Sequence, residues 1–228
     1  MKLIGRDEKV AVLEEEDPIR VHSFTLKRTE MNIRRLLTAK GLHFFVTRFG
    51  PRSLRGIAFD EKYRSGSWDF VGDGLGELPE LIDRYLLGGN LLMLGCGRCS
   101  ILEGLKHSNF AYALGVDISS EAIRIAGRFA SDKVSFQVAD MSTFEPTQTF
   151  DVILFSESLY YIPVNRQDAL LNRLGKSLNA RGVFVATLAQ AKRYRAILER
   201  LRRTFSIVED RAFDRSSRHL IVFRLRYD

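Results

Sequence analysis

The chain has 228 residues, enough for one full α/β domain with a large core and a small appendage. Its 45% hydrophobic and 28% charged residues are ordinary for a soluble globular protein, and no apolar run reaches the roughly 18 residues that a membrane-spanning helix needs. A formal charge of +7 leaves anionic partners open, while two cysteines are too few for the disulfide framework of a small secreted protein.

Arg6, Asp7 and Glu8 interrupt the start, where a secretory signal needs an apolar stretch, so a cytoplasmic protein is expected. Charge is unevenly spread. Asp7 to Asp17 holds six acids against Lys9, Arg20 to Arg55 holds nine Lys/Arg against Glu30, and a second basic block runs from Lys192 to Arg226. A solvated helix face explains such blocks more simply than nucleic acid, anionic lipid or glycan does. Residues 20 to 50 are expected to form one or two helices, with Phe44, Phe45, Val46 and Phe49 as packing groups. Residues 1–60 together read as an N-terminal helical extension or lid, and residues 61–228 as the main domain. The Gly-rich stretch "RSGSWDFVGDGLG", with the sole tryptophan Trp68, reads as a flexible connector.

From about residue 88 onward, short apolar runs alternate with helical patterns. "NLLMLG" is expected as a buried strand and Ser100 to His107 as a short helix. "AYALGVD" follows as a second strand, then a helix through Phe129 with Ser119 or Ser120 as N-cap. "VSFQVAD" and "FDVILFSE" are the third and fourth strands. "NRQDALLNRLGKSL" places Leu170, Leu171, Leu174 and Leu178 at helical spacing before the fifth strand, "GVFVATL". Strand-length apolar runs without alternation fit a sheet covered on both faces. Tyr194, Ile197, Leu198, Leu201 and Phe205 then form the apolar stripe of a helix whose other face is rich in arginine. The last two runs, "FSIVEDRAF" and "RHLIVFRLRYD", are separated by too few residues for a crossover, so they must pair antiparallel. The expected fold is a doubly wound, seven-stranded, mostly parallel sheet with a C-terminal antiparallel hairpin and helices on both faces.

The loop "GCGRCS", Gly95 to Ser100, admits three chemistries. A structural zinc site needs four ligands, but there is no second cysteine pair, and His22, His43, His107 and His219 form no spaced histidine motif. No metal is expected. A redox C-x-x-C at Cys96 and Cys99 would gain from a helix N-terminus, yet it gives Gly95 and Gly97 no purpose. A cofactor loop explains more residues: G-x-G at the first strand-to-helix turn lets backbone approach a ligand. Twenty residues after Gly97, Asp117 stands where a carboxylate can accept both hydroxyls of an adenosyl ribose. Asp140, ending the third strand, could accept from an adenine amino group beside Met141. Nicotinamide dehydrogenases share the ribose acid, but their sheet is normally all parallel, so the closing hairpin favours S-adenosylmethionine.

In order, "LLMLGCGRCS", "LGVDIS", "VSFQVADM", "FDVILFSESLYYI" and "LGKSLNARGVFVAT" make residues 60 to 228 resemble the class I, Rossmann-like methyltransferases that use S-adenosylmethionine. "FDEKYRSGSWDF" is similar to the approach segment of bacterial methyltransferases of glycan and small-molecule pathways, including the nodulation-factor N-methyltransferases. The resemblance implies a cofactor site of Gly95, Cys96, Gly97, Asp117, Ile118, Asp140, Met141 and Ser156, with Trp68 closing over it. It departs at two positions: Met93 stands where the family usually has Asp or Glu, and Cys99 where it has a third glycine. A lost charge-assisted contact of about 1.5 to 3 kcal/mol would weaken cofactor binding, so a methyltransferase-like binding or regulatory domain is the non-enzymatic alternative.

Methyl transfer needs an aligned acceptor and excluded water, with a general base only for an alcohol. Glu157, just past the fourth strand, is the candidate base, against a capping or salt-bridging role. Tyr160 and Tyr161 are candidates to line the acceptor pocket, and Asp151, at the far end of that strand, reads as structural. "SESL" replaces the Asn/Asp-Pro-Pro-Tyr of amino-methyltransferases of DNA and some RNAs, so the expected acceptor is a small molecule or sugar, with RNA as the alternative.

Overall fold

The computed structural model describes residues 40–68, 76–105, 110–213 and 218–226, except the side chains of Lys40, Gly41, Leu42, Phe44 and Phe213. The expectations for residues 20–39, for most of the Gly-rich connector and for Phe44 as a packing group therefore lie outside the described residues.

Strands β1 (Asn90–Leu94), β2 (Tyr112–Asp117), β3 (Val134–Val138), β4 (Phe150–Ser156) and β5 (Leu178–Leu188) pair in parallel. β6 (Ser206–Phe213) and β7 (Arg218–Arg224) close the chain, and β7 runs antiparallel to both β5 and β6. The order across the sheet is β3-β2-β1-β4-β5-β7-β6. It reverses direction of travel between β1 and β4, the point where open α/β sheets leave a crevice at their carboxyl ends.

Alternation along β1 explains why the sheet is covered twice. Leu92 and Leu94 join one buried cluster, while Leu91 and Met93 join the other. On the first face lie α6 (Val164–Gly175) and α7 (Arg195–Thr204), through Leu170, Leu171, Leu174, Ile197, Leu198 and Leu201. α3 (Leu78–Leu86) and the single turn α4 (Ile101–Gly104) cover the second face. α5 (Ser120–Ala126) continues as a 3-10 turn to Phe129. The helix expected through Leu178 stops at Gly175, and Leu178 instead opens β5, a strand four residues longer at its start than the apolar run suggests. Asp151 accepts from the backbone N–H of Asn90 at 2.7 Å and from the Asn179 amide at 2.8 Å, so it ties β1 and β5 to β4 far from the crevice.

Upstream, α1 (Lys40–Phe49) and α2 (Arg52–Arg64) pack on one another and α2 on α5. Val46 is buried as expected. Phe45 and Phe49 are not: they stay 59% and 57% exposed, their rings tilted against each other with centroids 5.4 Å apart. A ten-residue helix with one covered face buries one stripe, and these two positions, one turn apart, fall outside it.

Candidate cofactor and acceptor site

At the carboxyl ends of β1, β2, β4 and β5, under α2, lies a cavity of about 510 Å³. Pockets for small molecules and cofactors occupy this size range and this position in open sheets. All twelve residues singled out above line it: Gly95, Cys96, Gly97, Asp117, Ile118, Asp140, Met141, Ser156, Trp68, Glu157, Tyr160 and Tyr161.

The glycine loop is shaped by backbone angles that side chains resist. Gly95 and Gly97 have φ of 66° and 56°. A Cβ on Gly95 would lie 2.6 Å from the Ser158 Cβ, and one on Gly97 would lie 2.7 Å from the Tyr63 hydroxyl. Cys99 holds φ 58° without being glycine. Its side chain is buried, and its Sγ lies 3.4 Å from Met93 Sδ. The two departures from the family pattern are thus in contact: a thiol fills the space above the glycine position, and a thioether replaces the acid beneath it. Both cysteines are free. The hydrogen bond with Cys99, then burial, pushes the Cys96 thiol well above its usual range, the reverse of the activated thiolate that redox sites use.

Asp117 is buried at the end of β2 and holds the loop in place. Its Oδ2 accepts from the N–H of Gly97 at 2.9 Å and its Oδ1 from the N–H of Ser119 at 2.8 Å. Burial pushes its carboxyl up to about 6, against the opposing pull of the N–H groups of Ser119, Gly97 and Ile118. A carboxylate offers about four acceptor positions, so room remains for a hydroxyl donor. Asp140 has Oδ1 filled by the Ser142 N–H and hydroxyl, at 3.0 and 2.7 Å, and Oδ2 paired with the Arg55 guanidinium. One acceptor position on Oδ2 is left for an exocyclic amine. The bare glycine backbone, the partly used carboxylate Asp117 and the neighbouring Asp140 fit an adenosyl group.

Glu157 adopts φ 55° immediately after β4, a backbone state that non-glycine residues seldom hold. Its Oε2 accepts from the Ala189 N–H, and its Oε1 lies 3.2 Å from Arg218 Nε. Burial raises its carboxyl, opposed by that N–H and by Arg218. Tyr160 stacks on Tyr194 with centroids 4.4 Å apart and planes 3° from parallel. Tyr161 meets Phe59 edge-on at 5.1 Å. Burial raises the phenols of Tyr63, Tyr160 and Tyr161 above their usual range, so all three stay neutral donors.

Sequence reasoning missed most of the roof. Arg55, Phe59 and Tyr63 of α2 line the cavity, and Asp60 clamps α2 to the start of α5. Asp60 accepts from the hydroxyls of Ser119 and Ser120 at 2.6 and 3.0 Å and from the Glu121 N–H at 3.0 Å. The family-like segment beginning at Phe59 carried part of this signal; Arg55, one turn upstream, carried none.

Residues 91–182 match the family model described as "Methyltransferase domain". Solved structures share the fold. The N-methyltransferase NodS from Bradyrhizobium japonicum WM9, solved with S-adenosyl-L-homocysteine, superposes with a TM-score of 0.56 at 20% identity over 72% of this chain and 98% of its own. A TehB-like SAM-dependent methyltransferase from Corynebacterium glutamicum gives 0.56 at 20% identity over 74% and 99%. The CcbJ methyltransferase from Streptomyces caelestis gives 0.56 at 13% identity over 66% and 89%. No curated protein matches the chain in sequence.

Proposed function

We propose that this chain, which carries a class I, Rossmann-like methyltransferase domain and takes S-adenosylmethionine as its cofactor, transfers a methyl group to an oxygen or nitrogen of a small molecule or sugar. The cofactor supplies an electrophilic methyl on a sulfonium. The observation that carries the proposal is one cavity in which Gly95, Gly97 and Asp117 stand at the ends of β1 and β2 and aromatic side chains line it from the 3-10 turn after β4 and from α2.

In this reading Asp117 accepts from the ribose hydroxyls and Asp140 from the adenine amino group. The glycine loop lays bare backbone along the cofactor. Tyr160, Tyr161 and Phe59 make an apolar, water-excluding wall that orients the acceptor, the main contribution a displacement of this kind asks of a protein. Burial makes Glu157 a stronger base than a solvated glutamate, suited to an alcohol proton, while an amine acceptor would leave it a tether between β4 and Arg218. The N-terminal extension of residues 1–60 acts as a lid in this reading, tied to the start of α5 through Asp60.

Isothermal titration of the reduced protein with S-adenosylhomocysteine tests the cofactor half, with Asp117→Ala as control and nicotinamide dinucleotides as competitors. Micromolar binding lost in the control supports it, and transfer of labelled methyl to a panel of amines, phenols and sugars then tests the acceptor class. The pairing of Met93 with Cys99 favours a second reading, a methyltransferase-like binding or regulatory domain: a folded protein without affinity for S-adenosylhomocysteine even at millimolar ligand would be its signature.

A further inference from the structure

A second cavity, of about 410 Å³, lies between the end of α1, the start of α6 and the turn after β3. Arg48 and Arg55 line it from the N-terminal helices, Arg166 and Arg173 from α6, and no aspartate or glutamate is among its described lining residues. Four guanidinium groups around one space repel one another unless a counter-charge joins them. Among the described residues only Arg55 of the four forms an ion pair, with Asp140. Arg48 and Arg173 donate to backbone carbonyls, of Tyr160 and Ser142. Arg166 is exposed and joins no ion pair among the described residues.

Two further donors are unspent. The Nε atoms of Arg55 and Arg173 are closed off from solvent with no acceptor among the described residues, so a ligand would reach them only after the side chains turn. The twelve-residue helix α6 also begins at this cavity, after a Pro163 that caps nothing with its side chain. Its first N–H groups add to the positive field. Guanidinium forks match tetrahedral oxyanions in geometry as well as charge.

We propose that this cavity binds the phosphate group of a small molecule, through Arg48, Arg55, Arg166 and Arg173, at a site that adjoins the cofactor pocket and shares Arg55 with it. It stands independently of the methyltransferase reading, because occupancy can be measured with no cofactor present.

The test is titration of the full chain at fixed ionic strength with inorganic phosphate, glucose 6-phosphate and glucose. Phosphate or its ester is expected to bind with a Kd below about 1 mM, with glucose silent. A tighter ester assigns the site to a phosphorylated metabolite, and equal affinities assign it to phosphate itself; both support an oxyanion site. Arg166→Glu, at an exposed position, should weaken phosphate binding at least about tenfold while leaving the melting curve and S-adenosylhomocysteine titration unchanged. Arg48→Gln should weaken it in the same direction. Absence of phosphate binding in the folded protein, or binding indifferent to both substitutions, overturns the proposal.

Discussion

In the proposed reading Asp117 must be ionised to accept from the ribose hydroxyls, yet burial has moved its carboxyl up to about 6. The sign follows from which state holds the proton more tightly. The folded protein does, so this group takes stability away as pH rises from its ordinary 3.8 to about 6, by roughly 3 kcal/mol in all. Ligand binding runs the other way. S-adenosylhomocysteine affinity should fall by up to about tenfold per pH unit below 6, and Asp117→Asn, which still accepts weakly from hydroxyls but does not titrate, should flatten that slope; calorimetry from pH 5 to 8 reads both. Met93 gives a second case at this scale. Its side chain is 1% exposed against Cys99, so restoring an acid there would bury an unpartnered charge. Met93→Asp should destabilise by about 3–5 kcal/mol. An unchanged melting temperature would mean that solvent or a nearby donor reaches the position.

At the scale of elements, α2 is held over the site by the Asp60 carboxylate together with the Arg55–Asp140 pair. Asp60 serves as an external cap for α5, supplementing Ser119, whose hydroxyl accepts from the Ala122 N–H at 3.0 Å. Asp60→Ala should cost about 2 kcal/mol, a fall in melting temperature of roughly 4–8 °C, and should weaken cofactor binding beyond that loss because Phe59 and Tyr63 lose their seat. Asp60→Asn, which can still accept from Ser119, should recover most of the stability. The strands were legible because buried parallel strands must be nearly continuous apolar runs. So were the glycine loop and the acids at the ends of β2 and β3, because their spacing is fixed by the turn they serve. Helix ends were less so: Leu178 fits the helical stripe as well as it fits the start of β5, and only pairing of Phe150 with Leu178 decides. The roof was least legible. Arg55 and Asp60 act on residues 85 and 59 positions downstream, and no local periodicity encodes a contact across that separation.

For the whole molecule, the sheet order brings the ends of β1, β2, β4 and β5 to one rim, and the N-terminal helices reach that rim through the chain that precedes them all. The +7 charge concentrates partly there, in Arg48, Arg52 and Arg55, so the same segment that roofs the cavity carries much of its positive field. If the segment closes on the cofactor, the one tryptophan will report it. Trp68 packs edge-on to Tyr63 at 5.2 Å and against Phe59 at 5.6 Å, lines the cavity and is only partly buried. In the proposed reading an adenosyl group entering this cavity would press on the same aromatic cluster. Its fluorescence should therefore shift on titration with S-adenosylhomocysteine and saturate at the concentration that calorimetry finds. Phe59→Ala, which removes the ring between Trp68 and Tyr161, should reduce the spectral change and weaken binding together. Calorimetric binding with a silent Trp68 would instead describe a pocket that fills without its roof taking part.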